Sequence, residues 1–252
     1  MTFYGIFILL AAGFFGGLAN SLAGGASLVT FPALLALGLP PVIANASNTL
    51  ALLPANFMGA YADRLKLPDR DYWFWLGICV ALTGGTIGAV LLLYSSDRFF
   101  SVLVPLLIGT ATFIFAFGKS IQRTFAHWIG GSENPKLRSV LLLPAAIYGG
   151  YFGAGVGVMY MALLGATSSL DLRQANANKN VWGFLSNFSA MIIFVWQGLI
   201  DWPVALMMLP ATAAGGLVGT RLFQVMPATI VRRVIISIGT LMTGVYAYRY
   251  WL

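Results

Sequence analysis

Residues 3–38 read FYGIFILLAAGFFGGLANSLAGGASLVTFPALLALG, and this stretch decides the fold. A membrane-crossing helix needs ~20 apolar residues. The stretch is too long for one crossing, and Asn20-Ser21-Leu22-Ala23-Gly24-Gly25 interrupts it. A second stretch, 139–167, has the same character. It is interrupted by Gly149-Gly150 and by Gly153-Ala154-Gly155-Val156-Gly157. Both read as helices broken by glycine, or as hairpins that dip into a bilayer and return.

The rest of the chain agrees with a bilayer setting. Of its 252 residues, 59% are hydrophobic and 8% charged; soluble domains average about 25% charged. So few charges cannot cover the surface of a soluble domain, which excludes a soluble enzyme and a disordered regulator. Six further apolar segments each suit one span: 43–61, 72–94, 99–118, 174–198, 203–223 and 228–250. The fold class is therefore an all-α polytopic membrane protein. Residues 119–138, with Lys119, Arg123, Lys136 and Arg138, read as a polar cytoplasmic connection.

An internal repeat organises these segments. Adding 131 carries Ala44-Asn45-Ala46 onto Ala175-Asn176-Ala177 and Asn56-Phe57 onto Asn187-Phe188. The same offset carries Gly84-Gly85 onto Gly215-Gly216 and Gly88 onto Gly219. One offset through three separate elements defines two repeats. Residues 1–118 form the first and 139–252 the second, each a broken element followed by three spans.

Positive charge then sets orientation, since Lys and Arg concentrate on the cytoplasmic side. If each broken element crossed once, eight of the 14 basic residues would lie inside and six outside. If each enters and leaves on one side, twelve lie inside and only Arg98 and Arg249 outside. The second arrangement is preferred. It gives each repeat an odd number of crossings, so the two repeats are inverted. Inverted repeats with discontinuous helices are a recurring plan of secondary transporters.

Broken backbone at membrane depth must be buried in protein or line a wet cavity. Half-helices starting near Ser27 and near Val158 would aim their N-termini at the membrane middle from opposite sides. Helix N-termini carry partial positive charge and free N–H donors, which suit an anion. The expected cradle is Gly24, Gly25, the amide of Ser27 and the segment Gly155–Gly157. Asn48, Thr49, Asn56, Lys179 and Asn187 are the expected donors of hydrogen bonds or charge. The alternatives are tight helix packing for the glycines, interhelical hydrogen bonding for Asn56 and Asn187, and snorkelling for Lys179. The acids Asp63, Asp69, Asp71, Asp97, Glu133, Asp171 and Asp201 fall in loops or at span ends, so no carboxylate proton relay has a seat in mid-membrane. His127 reads as a solvated loop residue, and Cys79 has no partner. Catalytic residues, metal ligands and cofactors are therefore not expected.

With these residues in view, the chain resembles the TauE/SafE sulfite exporters, also called the toluenesulfonate uptake permease family. The matching segments are GLANSLAGGASLVTFPALLALGLPPVIANASNTLA, GAYADRLKLPDRDYW, YGGYFGAGVGVMYMALLGATSSLDLRQANANKNVWGFLSNFSA and GLIDWPVALMMLPATAAGGLVGTRL. The resemblance covers nearly the whole length. It implies a bacterial inner-membrane permease of two related halves that moves sulfite or small organosulfonates, usually outward. It also implies roles for a second-half lysine and asparagine, which Lys179 and Asn187 supply. Where the family often has Asn-Phe, this chain has Gly183-Phe184. The expected partners are a small anionic substrate and the bilayer; a second copy of the chain is a candidate, and nucleic acid is not. An anion channel of the same architecture, or a carrier of another small anion, stays open as an alternative.

Overall fold

A computed structural model describes residues 3–129, 133–222 and 228–252. Among the described residues the regular structure is helical: α1 (Phe3–Ala23), α2 (Ser27–Ala36), α3 (Pro41–Ala62), α4 (Tyr72–Leu93), α5 (Asp97–Ile129), α6 (Pro135–Tyr151), α7 (Val156–Thr167), α8 (Leu172–Trp196), α9 (Trp202–Leu222) and α10 (Ala228–Trp251), with a short 3-10 turn at Arg64–Lys66. Among the described residues, four helices are long and apolar enough to cross a membrane: α1, α4, α5 and α9. The chain is an all-α polytopic membrane protein.

Local chemistry fixes where the helices start. Asp71 accepts the Phe74 amide at 2.8 Å to cap α4, and Asn134 accepts that of Leu137 at 3.0 Å to cap α6. Asp171 and Gln174 form a reciprocal capping box on α8. Asp201 accepts the Val204 amide at 3.1 Å at the start of α9. These caps satisfy first-turn N–H groups that have no partner inside their own helix.

Both apolar stretches that are too long for one span are broken. The first break is confined to Gly24–Ala26 and the second to Phe152–Gly155. Asn20–Ala23 and Gly149-Gly150, expected within the interruptions, are helical. The breaks fall where backbone geometry requires glycine, since Gly24 has φ +74° and Gly155 φ +77°, values that strain a residue carrying Cβ. After each break the chain returns as a short helix. At ~1.5 Å per residue, the 10 residues of α2 and the 12 of α7 fall well short of the ~30 Å hydrocarbon thickness.

The connecting loop expected over 119–138 is shorter at both ends, since α6 already starts at Pro135 and carries Lys136 and Arg138. Helix α5 continues to Ile129, so residues 119–129 of the expected connecting loop are helical. His127 lies in the last turn of α5 rather than in a loop. The segment contains Lys119, Gln122, Arg123 and Ala126, good helix formers that continue α5 past the apolar stretch. Residues 130–132 of that loop, and residue 223 at the end of an expected span, lie outside the described residues.

The packing exchanges elements between the two halves. Helix α1 packs on α9 while α4 packs on α6, and α3 packs on α9 while α8 packs on α4. The glycines sit at these seams. A Cβ at Gly85 would collide with the Ser186 carbonyl and Ser189 Oγ of α8, and one at Gly215 with the Phe14 carbonyl of α1. Gly84 and Gly88 face α6, and Gly219 faces α1. Small residues of this kind let helix backbones approach closely where no hydrophobic force favours helix contact over lipid.

Two pairs of helices that correspond at the 131-residue offset, α3 with α8 and α5 with α10, run antiparallel to each other. On the α3–α8 seam, Asp63 meets Asn176 and Asn180, Phe57 packs on Phe184, and Ser47 near the start of α3 meets Asp201 beyond the end of α8. On the α5–α10 seam, the Arg232 guanidinium donates to the Phe115 and Ala116 carbonyls, and Trp251 Nε1 donates to the Val102 carbonyl. The buried centre includes Leu28, Phe31 and Leu34 of α2 and Phe152 of the second break. The Phe31 and Phe152 rings meet edge to face at 5.2 Å.

Gly85 and Gly183 test the packing account, because both are helical but nothing lies within 4 Å of a Cβ at Gly183. Gly85→Ala should lose about 1–3 kcal/mol through overpacking. Gly183→Ala should be neutral or gain up to ~1 kcal/mol from helix propensity. Thermal melting of the purified protein in detergent measures both.

Candidate functional site

The two breaks meet. A Cβ at Gly24 would stand 3.6 Å from the Gly157 Cα, and one at Gly157 would stand 3.6 Å from the Gly24 Cα. The aliphatic stem of Lys179 runs alongside, its Cδ 3.7 Å from that same position. Gly24, Gly157 and Lys179, from three separate elements, therefore share one place. Neither the Ser27 nor the Gly157 amide finds a hydrogen-bond acceptor among the described residues, as the geometry of a first helical turn dictates.

The long helices α3 and α8 present polar side chains along the breaks. On α3, Asn56 Oδ1 accepts from Asn20 Nδ2 at 2.8 Å, near the end of α1. Asn48 Nδ2 donates to Ser27 Oγ at 3.2 Å, at the start of α2. Asn45 Nδ2 donates to the Tyr151 carbonyl at 2.9 Å, at the end of α6. Asn45 and Asn48 are each 1% exposed. Their Oδ1 atoms have no protein partner among the described residues. On α8, Asn187 Oδ1 would lie 3.6 Å from a Cβ at Gly153. A further bond steadies the second break from its own half, where Tyr148 donates its phenolic proton to the Ala154 carbonyl at 2.8 Å.

Not every expected residue joins this cluster. Thr49 is buried, but its hydroxyl donates to the Asn45 carbonyl of its own helix at 3.0 Å. Gly25 faces elsewhere, as a Cβ there would meet Phe115 of α5 and Ile235 of α10. Gly155 faces Ala111 of α5. These two glycines allow the breaks to nest against α5 and α10. Asn20 and Asn45 were not singled out as site residues, and each links two elements at a break. Their signal in the sequence is an amide at or near a glycine break and one first-turn amide in the following span. Among the described residues, no group of three or more His, Cys, Asp or Glu side chains could hold a metal ion. Cys79 is exposed on α4 as a free thiol.

Long apolar helices interleaved with glycine-broken hairpins, and polar side chains gathered at the breaks, define a polytopic membrane protein with a polar centre. The chain belongs to the sulfite exporter TauE/SafE family, whose model matches residues 9–246. A "Probable membrane transporter protein" of Haemophilus influenzae is 29% identical over 250 residues, covering 96% of this chain and 94% of that one. "Probable membrane transporter protein YfcA" of Escherichia coli K12 is 25% identical over 254 residues, covering 96% of this chain and 88% of the relative. "Probable membrane transporter protein ORF9" of a Sinorhizobium species is 24% identical over 242 residues, covering 95% and 91%. No solved structure matches the chain.

The Asn20–Asn56 bond is a bridge between helices beside the first break. Interhelical bonds in membranes are worth ~0.6 kcal/mol on average and at most ~1.7. Asn20→Ala and Asn56→Ala should each destabilise the protein, and the double variant should lose less than their sum by a coupling in that range. A thermal-stability double-mutant cycle in detergent measures it; additive losses would show that the bridge contributes nothing.

Proposed function

We propose that this transporter carries a small sulfur-containing anion, sulfite or an organosulfonate, outward across the cytoplasmic membrane of a bacterium. The observation that supports this most is the meeting of Gly24 and Gly157 beside Lys179. The turn that leads into α2 meets the first turn of α7 next to a lysine, and helix starts carry free N–H donors and a partial positive charge. Neutral amides from α3 and α8 surround them. Neutral donors can hold an anion without stranding a second charge in hydrocarbon.

In this reading the two halves lie inverted in the membrane, with both hairpins re-entering from opposite faces. The antiparallel α3–α8 and α5–α10 pairs support that arrangement. The segment Arg64–Arg70 and the first turns of α6 and α8, with Lys136, Arg138 and Arg173, face the cytoplasm, and residue 252 faces the other side. Substrate sits between the breaks, and movement of one hairpin-bearing bundle against the other exposes it alternately to each side. An anion leaving a cell that is negative inside gains ~2.3 kcal/mol per charge per 100 mV, so voltage suffices to drive export.

Transport of radiolabelled sulfite into proteoliposomes by the purified protein tests the substrate. The expected result is saturable uptake that unlabelled organosulfonate competes for and nitrate does not. Conductance far above ~10³ ions per second, the upper end of typical turnover, would identify a channel instead. Lys179→Met should reduce sulfite uptake at least tenfold at equal protein level; unchanged uptake would leave Lys179 a snorkelling side chain.

Orientation has its own test. In a Cys79→Ser background, Glu133→Cys should react with a membrane-impermeant maleimide only from the cytoplasmic side. A cysteine added after Leu252 should react only from the opposite side. Labelling of position 133 in intact cells overturns the inverted arrangement.

A further inference from the structure

Asp63 differs from the other acids described above. Asp71, Asp171 and Asp201 cap the helices that follow them, whereas Asp63 lies just beyond the C-terminal end of α3 and reaches into the other half of the protein. Its side chain is 18% exposed and its Oδ1 pairs with the Lys66 ammonium at 2.9 Å. Its Oδ2 accepts Asn176 Nδ2 at 2.9 Å and Asn180 Nδ2 at 3.3 Å, both from α8. Residues four apart on a helix share one face, so the two amides point at the same oxygen. Gly59, one turn before Asp63, makes room for this, since a Cβ there would press on the Asn180 amide at 3.3 Å.

The arrangement also breaks the symmetry of the two halves. Asn45 and Asn176 correspond at the 131-residue offset. Asn45 donates to the Tyr151 carbonyl at the end of a broken helix, but Asn176 turns to a carboxylate. Between Asn176 and Asn180 along α8 lies Lys179, which packs its stem against Gly157. One face of α8 thus already holds a singly charged, oxygen-bearing anion with neutral N–H donors, on the same helix as the cation beside the two breaks.

We propose that Asn176 and Asn180, which flank Lys179 along α8, form an oxyanion-receiving subsite at the cytoplasmic mouth of the pathway, that the Asp63 carboxylate occupies it in the absence of solute, and that an incoming sulfite or organosulfonate replaces Asp63 there. Replacement exchanges one set of charge-assisted hydrogen bonds for another of the same kind. It releases the end of α3 from α8 and leaves Asp63 with Lys66 at the surface. This subsite rests on the reading of the protein as an exporter of sulfur oxyanions.

A resident competitor weakens apparent affinity by the fraction of time it leaves the donors free. If Asp63 holds them about nine-tenths of the time, removing it tightens binding about tenfold. Calorimetric titration of the full-length protein in detergent with sulfite tests this. Asp63→Ala should bind sulfite about tenfold more tightly than wild type, and Asp63→Asn, which keeps one acceptor oxygen, by a smaller factor. Adding Asn176→Ala and Asn180→Ala to Asp63→Ala should abolish the gain. Wild-type binding of sulfite with no change in Asp63→Ala overturns the subsite and leaves the exporter reading standing. Absence of sulfite and organosulfonate binding in wild type and in every monodisperse variant overturns the exporter reading, and the subsite with it. Should Asp63→Ala not yield monodisperse protein, Asn176→Ala with Asn180→Ala in the otherwise wild-type chain decides. A several-fold loss of sulfite affinity supports the subsite, and unchanged affinity overturns it.

Discussion

An interrupted backbone inside a bilayer must find partners for the N–H and C=O groups it exposes, because hydrocarbon offers none. The architecture of this transporter follows from meeting that requirement twice. Each break turns through a glycine with positive φ, and the surrounding helices bring hydrogen-bonding groups to it. Asn45 reaches the terminal carbonyl of α6, Tyr148 the carbonyl of Ala154, and Asn48 the hydroxyl that opens α2. At the breaks themselves, the amides of Ser27 and Gly157 find no acceptor among the described residues. The same feature that would be a defect in a continuous helix becomes a polar centre in an apolar protein.

The fold was legible in the sequence wherever the signal was a mismatch between apolar length and membrane thickness. Residues 3–38 and 139–167 are too long for one crossing and too glycine-rich to be uniform, and both are broken. The exact extent of the breaks was not legible. Asn20–Ala23 and Gly149-Gly150 look like breakers in isolation, yet they are helical, and the glycines pack closely on their neighbours. Gly150, for example, sits against the Gly85 backbone. The extension of α5 through residues 119–129 was missed for the opposite reason. Its charges mark it as leaving the apolar core, and charge alone does not distinguish a loop from a helix that continues past it.

The polar cluster was legible in outline and misassigned in detail. Gly24, Gly157 and Lys179 come together, and Ser27 pairs with Asn48. Thr49 turned back on its own helix, a competition that threonine hydroxyls on helices commonly lose to the preceding turn. Asp63 was the larger omission. As an acid at a span end it looked like one of several solvated carboxylates. Only the antiparallel run of α3 against α8 brings it to Asn176 and Asn180, residues more than a hundred positions away. No local pattern encodes such a meeting.

The exchange of helices between halves has a consequence for biosynthesis. Because α1 seats on α9 and α4 on α6, neither half closes its own glycine grooves. While the ribosome is still making the second half, those grooves of the first face lipid or an insertase, so assembly is completed only after α9 arrives.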